Sequence, residues 1–210
     1  MNVIRLLSLA LFIISLMIGG FYLYNRVDPE PIELKEVSNE LQNDIERIGS
    51  REEKAYQWIY TEDIDYAYLE EIEREWIEKY QKPKHMVEYL FAAITLDDIE
   101  LFVEAFEPGV ISQDLFLVDT IDKEKVAKDI ITRITRNDKL SEVNYLSERL
   151  TNHHYEAKVE VQLLYEDDKK VRLPLEMRLF GTSHHDDDEV FYITTSAWDI
   201  IDTIEKQTSE

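Results

Sequence analysis

An α+β fold, helices first and a curved, mostly antiparallel sheet of about four strands last, follows from changes of apolar period along this chain. Val87, Leu90, Phe91 and Ile94, and then Ile99, Phe102, Val103 and Phe106, recur at helical spacing and read as two short amphipathic helices. From Leu140 onward the period falls to two, with β-branched and aromatic residues alternating against charged ones. A third observation sets the amino terminus apart. From Leu6 to Asn25 no residue is charged, long enough to cross ~30 Å of hydrocarbon as a helix.

Residues 1–26 therefore read as a transmembrane anchor, with residues 6–25 in the membrane. Arg5 precedes the span, whereas Arg26 is soon followed by Asp28, Glu30 and Glu33. The positive-inside bias leaves the amino terminus cytoplasmic and the rest outside, a single-pass protein of the cell membrane. Tyr22 and Tyr24 sit where an interfacial aromatic belt would. A cleaved signal would need a small-x-small site. The only small pair, Gly19-Gly20, is followed by further apolar bulk, so the anchor is expected to stay.

Residues 27–83 read as a helical connector. Pro29 and Pro31 bracket an extended exit from the bilayer. Leu34, Val37, Leu41, Ile45 and Ile48 then fall at helical spacing until Gly49-Ser50, and a second acidic, aromatic segment runs from Arg51 to Gln81 before Pro83. The apolar repeat covers too few heptads for a coiled-coil stalk. These helices are expected to lie against the domain that follows.

Residues 84–203 form that domain, and 204–210 a tail. Asp97 or Asp98 can cap the second helix of the pair, with Glu100 placed to answer Asp97. Pro108-Gly109 marks a turn, and Val110 to Val118 reads as irregular or weakly extended. Asp122 can cap a third helix striped by Val126, Ala127, Ile130 and Ile134 and ended by Asn137-Asp138.

Among the strands, His154 to Tyr165 faces Tyr155, Ala157, Val159, Val161 and Leu163 inward. Lys170 to Phe180 does the same with Val171, Leu173, Leu175, Met177 and Leu179. Pairing Val161 with Leu173 joins the apolar faces and sets Lys158 against Glu176 and Glu156 against Arg178; a two-residue slip would oppose Lys158 to Arg178. Pro174 must then meet an edge or a bulge. The last strand, Glu189 to Asp199, is apolar on both faces and reads as central; Glu142 to Leu150 supplies a further strand.

Charge and composition exclude several classes of function. Lys+Arg 23 stand against Asp+Glu 45, so nucleic acid would be repelled. Taking Arg5 and Arg26 from the 23 basic residues leaves 21 against 45 beyond the anchor, a formal charge of −24, which also stands off anionic head groups. Without cysteine there is no disulfide, thiol nucleophile or zinc ribbon. No Ser-His-Asp spacing, phosphate-cradling glycine loop or metalloprotease helix is present, and no cofactor is called for. His184, His185, Asp186 and Asp188 form the one local cluster that could attract a divalent cation. Adjacent ligands on one loop converge poorly and lack calcium-loop spacing, so a solvated hairpin loop is the expectation, with no metal. His153-His154 reads as the start of a strand.

The run AAITLDDIELFVEAFEPGV, the helix EKVAKDIITRI and long antiparallel strands ending in FYITTSAWDII together resemble the nuclear transport factor 2-like superfamily, over roughly residues 84 to 203. The strand pair common before the third helix is here at most the stub SQDLFLVDT. The resemblance implies a cone between helices and sheet where the superfamily's enzymes place Asp, His or Tyr. On this strand reading the inward polar candidates are Tyr145, Tyr155 and Tyr192, and an acid–base pair is missing. The resemblance further implies a membrane-tethered binding or scaffold domain. Its partner would be another envelope protein, or itself as a homodimer. The alternative is a small-ligand enzyme of isomerase, dehydratase or hydrolase type using the cone.

Overall fold

The computed structural model describes residues 29–61, 74–181 and 189–209. Within them a curled antiparallel sheet, ordered β1-β2-β3-β4-β5, closes over a layer of helices as an α+β half-barrel. The strands are β1 Glu30–Ile32, β2 Leu140–Thr151, β3 Glu156–Tyr165, β4 Lys170–Gly181 and β5 Glu189–Ile193. The helices are α1 Leu34–Thr61, α2 Pro83–Leu96, α3 Ile99–Glu104, α4 Pro108–Phe116, α5 Lys123–Ile134 and α6 Ala197–Thr208, and residues 74–80 are also helical. Among the described residues no helix is long and apolar enough to cross a membrane; the span expected over residues 6–25 lies outside them.

The helix pair α2–α3 fills the concave side of the sheet. Val87, Leu90, Phe91, Ile94, Phe102 and Phe106 are all buried, and the Phe102 and Phe106 rings meet edge to face at 5.1 Å. The two acids between the helices divide the work. Asp97 ends α2 in the left-handed region at φ 56° and pairs with Lys128, while the Asp98 carboxylate caps α3 by accepting from the Leu101 N–H at 3.1 Å. Asp122 caps α5 in the same way, accepting from Lys125 N–H at 3.0 Å.

The connector belongs to the core. β1, the extended exit between the prolines, pairs antiparallel with β2 and adds a fifth strand to the four expected. Ile32, Leu41 and Tyr80 are buried in the same cluster as the sheet. Helix α1 runs on through 49–50 rather than breaking at Gly49-Ser50. It is pinned to residues 74–80 by Lys79, which reaches Glu40 at 2.7 Å and Asp44 at 2.9 Å.

The β3–β4 register is the one charge and parity predict. Val161 faces Leu173, Lys158 faces Glu176 with an ion pair at 2.6 Å, and Glu156 faces Arg178 at 3.4 Å. Pro174 turns its missing N–H toward the flank that β5 no longer covers, because β5 pairs only with Met177 to Gly181. On that flank the Gln207 amide takes the place of a strand: its Oε1 accepts from Arg172 N–H at 2.9 Å and its Nε2 donates to the Arg172 carbonyl at 2.8 Å. Gln207→Ala is expected to cost about 1 kcal/mol, the net worth of such exposed bonds. Thermal denaturation would show this as a fall in Tm of about 2–4 °C.

Three further sequence expectations are overturned in the domain's helices and last strand. Residues 110–118 are mostly helix, because Pro108 sits at the first helical position of α4 and the Glu107 carboxylate caps it, accepting from Val110 N–H at 2.8 Å. The strand expected to reach Asp199 stops at Ile193. Ser196 then starts α6, which carries Ala197, Ile200, Ile201 and Ile204 into the core and absorbs most of the expected tail. Lastly, β5 is at the edge of the sheet rather than its centre. Its two-sided apolarity arises because Phe191 and Ile193 enter the core while Val190 and Tyr192 line a cleft on the other side, and the α3–α4 link pairs with its open edge. There Ile193 N–H donates to the Ala105 carbonyl at 3.0 Å, and Glu107 N–H to the Ile193 carbonyl at 2.9 Å.

Candidate functional site

The concave face of the sheet is aliphatic. Val159, Val161, Leu163, Val171, Leu173 and Leu175 are buried against α2 and its neighbours. Polar groups and open space occur instead at two clefts on the margin, and the three tyrosines singled out in the sequence divide between them.

The first cleft, about 740 Å³, lies between the start of α2 and residues of β2, β4, β5 and the turn before β3. Tyr145 is buried there on β2, on the same face as Val143 and just before a register shift between Tyr145 and Ser147. Its hydroxyl donates to Glu148 Oε2 at 2.6 Å. Burial pushes its pKa well above the usual tyrosine value, and the Glu148 hydrogen bond and charge add to this, followed by Glu30 and Glu88. A phenol held neutral in this way is poorly matched to proton transfer near neutral pH. Lys84 Nζ reaches Glu30 at 2.5 Å and Glu88 at 3.7 Å, and the Glu30 hydrogen bond raises the Lys84 pKa against a smaller opposing effect of burial. Glu88 also lies 2.6 Å from His85 Nδ1. Glu30, Lys84, His85 and Glu88 are thus engaged with one another.

Tyr155 lines the same cleft but not from a strand. It is 43% exposed in the turn before β3, where the left-handed backbone of Asn152, His153 and His154 delays the strand until Glu156. His153 and His154, read as the start of the strand, thus belong to the turn. Among the described residues no group of three His, Asp or Glu is placed to hold a metal ion. His184, His185, Asp186 and Asp188 lie outside the described residues.

Tyr192 faces away from the other two. It is half-buried on the outer side of β5, its ring edge-on to Phe180 at 6.2 Å, with its pKa raised by burial and then by the Glu104 charge. It lines the second cleft, about 600 Å³, whose walls are Trp76, Tyr80, Tyr89, Phe106, Leu115 and Val190 among others. Tyr89 stands at right angles to both Trp76 and Tyr80, at 6.3 and 5.4 Å, and donates its hydroxyl to Glu104 Oε2 at 3.1 Å. Trp76 and Tyr80 belong to the aromatic segment expected to lie against the domain; their meeting with β5 across a cleft was not legible.

Asp114, a loop acid with no visible partner in the sequence, is only 3% exposed. Its carboxylate accepts from Ser196 Oγ and from Ala197 N–H, both at 2.7 Å, and its carbonyl accepts from Trp198 Nε1 at 3.0 Å. It holds the start of α6. No local signal could reveal this, because the partners lie more than eighty positions away.

No protein-family model, no curated protein and no solved structure matches this chain.

Proposed function

We propose that this chain is a membrane-anchored, extracytoplasmic member of the nuclear transport factor 2-like superfamily that works by binding another protein of the cell envelope, not by catalysis. The observation that carries this reading is where polar groups are spent. Ser38, Asp114, Thr135 and Asn144 are the buried polar residues among those described, and each is hydrogen-bonded within the fold: Ser38 to the Leu34 carbonyl, Thr135 to the Thr132 carbonyl, Asn144 to Glu142 and Asp114 to the start of α6. No buried side-chain nitrogen or oxygen among the described residues is left without a partner. Catalysis usually needs titratable groups set together in a pocket where a substrate can reach them, whereas these four are committed to bonds that hold the fold. The uncharged run of residues 6–25 supports the anchor, and the acidic excess supports a basic partner. The small-ligand enzyme remains the second reading, favoured by the polar cleft at Tyr145.

Two measurements test the proposal. Protease added outside intact cells is expected to cut the tagged full-length chain beyond residue 26. Photo-crosslinking of that chain in its own membrane is expected to join it to one defined envelope protein or to a second copy. Protection from protease would overturn the location, and recovery of neither adduct would overturn the binding role.

A further inference from the structure

Directly after α4 the chain exposes large apolar side chains in close succession. Phe116 is 69% exposed, Leu117 71% and Ile121 101%, with Val118 less so. Such groups in water have no role in the core, and a contiguous exposed patch of this kind marks an interaction surface. Phe116 also lines the aromatic cleft, so loop and cleft form one continuous apolar surface with Tyr192 at its far wall. Its charged margin is mainly acidic. Glu104 is solvent-exposed at the cleft, and Asp119 and Asp122 flank Ile121. The one cation lining the cleft among the described residues, Lys123, is already engaged: its Nζ lies 4.3 Å from the Phe116 ring centre and donates to the Val118 carbonyl at 3.2 Å.

Building on the binding reading above, we propose that this surface docks a segment of a partner protein in which apolar side chains are flanked by Lys or Arg. The apolar side chains fill the cleft between Tyr89, Tyr192 and Phe116, and the basic flanks face Glu104 and Asp119. Charge selects this occupant over a second copy, since two chains of formal charge −22 would bring acid against acid. It also selects it over a lipid surface, because a membrane-seeking loop carries basic residues around its apolar tip and this one carries Asp119 and Asp122.

The test uses the full-length chain in detergent and two fluorescein-labelled heptapeptides. Each has a leucine–tryptophan–leucine centre, flanked by lysine pairs in one and by glutamate pairs in the other. The lysine peptide is expected to bind at least tenfold more tightly than its glutamate twin. The double variant Phe116→Ser, Ile121→Ser leaves the charge unchanged and alters two side chains that are mostly in solvent, so the fold is kept. It is expected to weaken binding about tenfold. Glu104→Gln is expected to weaken it about threefold and to flatten its salt dependence. Equal binding of the two peptides, or an unaltered double variant, would overturn the proposal. So would loss in the double variant of a dimer measured by light scattering, or of binding to phosphatidylcholine vesicles. Photo-crosslinkers at positions 116 and 158, the latter on the exposed face of β3, separate the two levels of the argument. An envelope protein captured at 158 but not at 116 would sink this surface and leave the binding role standing, whereas capture at neither would sink both.

Discussion

Asp114→Ala is expected to destabilise the fold by about 3–5 kcal/mol, more than any other single polar change among the described residues. The substitution removes an ionised acceptor from two short hydrogen bonds, to Ser196 Oγ and Ala197 N–H. Charge-assisted bonds of this kind contribute about 1.5–3 kcal/mol, and a buried donor left unpaired costs about 1–3 kcal/mol. Ala197 is fully buried, so water cannot replace the lost acceptor. The negative charge also faces the positive end of the α6 dipole. Loosening that end releases Ile200, Ile201 and Ile204 from the core. Asp114→Asn keeps the shape and one acceptor oxygen and is expected to lose about 1–2 kcal/mol by the same accounting. Urea unfolding followed by far-UV circular dichroism gives both numbers. An alanine variant within 1 kcal/mol of the parent would mean that α6 is held by its apolar face alone.

The contrast between Asp114 and the β3–β4 hairpin shows which parts of this fold were legible. Where partners are close in sequence and two constraints agree, as apolar parity and charge do for Val161 with Leu173 and Lys158 with Glu176, the register could be derived and is observed. The core residues of α2 and α3 were legible for the same reason, from one helical period within twenty residues. What escaped depends on distant partners. The run from Glu189 looked like a central strand because both its faces are apolar, yet Ser196 caps a helix and the second face, Val190 and Tyr192, lines an aromatic cleft. Pro29 and Pro31 marked an extended exit, and it is extended, but its pairing partner β2 lies more than a hundred positions on; a three-residue edge strand tolerates proline well. The candidate tyrosines divide between two clefts for a related reason. Alternation assigns a side to each residue of a strand, but a left-handed turn leaves Tyr155 outside β3, and β5 turns Phe191 and Ile193, not Tyr192, into the core.

Alkaline pH should unfold this protein steeply. Tyr80, Tyr89, Tyr145 and Tyr165 all have pKa values pushed well above the usual tyrosine value of about 10, and burial is the first cause for each. For Tyr89 and Tyr145 the charge and hydrogen bond of Glu104 and Glu148 add to it, and for Tyr165 the Arg136 charge partly opposes it. The Tyr165 hydroxyl donates to the Ile134 carbonyl at 2.9 Å, which closes one of the open carbonyls of α5 and is lost on ionisation. The sign follows from the protons each state holds. Below pH 10 folded and unfolded chains both keep them, and the full contribution is present. Above it the unfolded chain releases protons that the folded chain retains, so stability falls by about 1.4 kcal/mol per pH unit for each retained proton. Four such groups give a slope of about 5 kcal/mol per unit until their folded pKa values are reached, enough to consume an ordinary folding free energy within two or three units. Lys79 and Lys84 act in the same window. Burial lowers the Lys79 pKa, but the bonds to Asp44 and Glu40 more than offset it, and the Glu30 bond raises that of Lys84. Burial, the first cause, is not screened by ions, so added salt should leave most of the slope in place while weakening the smaller contributions of the Glu104 and Glu148 charges. Ultraviolet absorbance at the phenolate band, recorded with circular dichroism from pH 8 to 12, separates the causes. Phenolate for these four tyrosines is expected to appear only as the fold is lost. Its full appearance while the dichroism is still native would show that the rings are open to solvent.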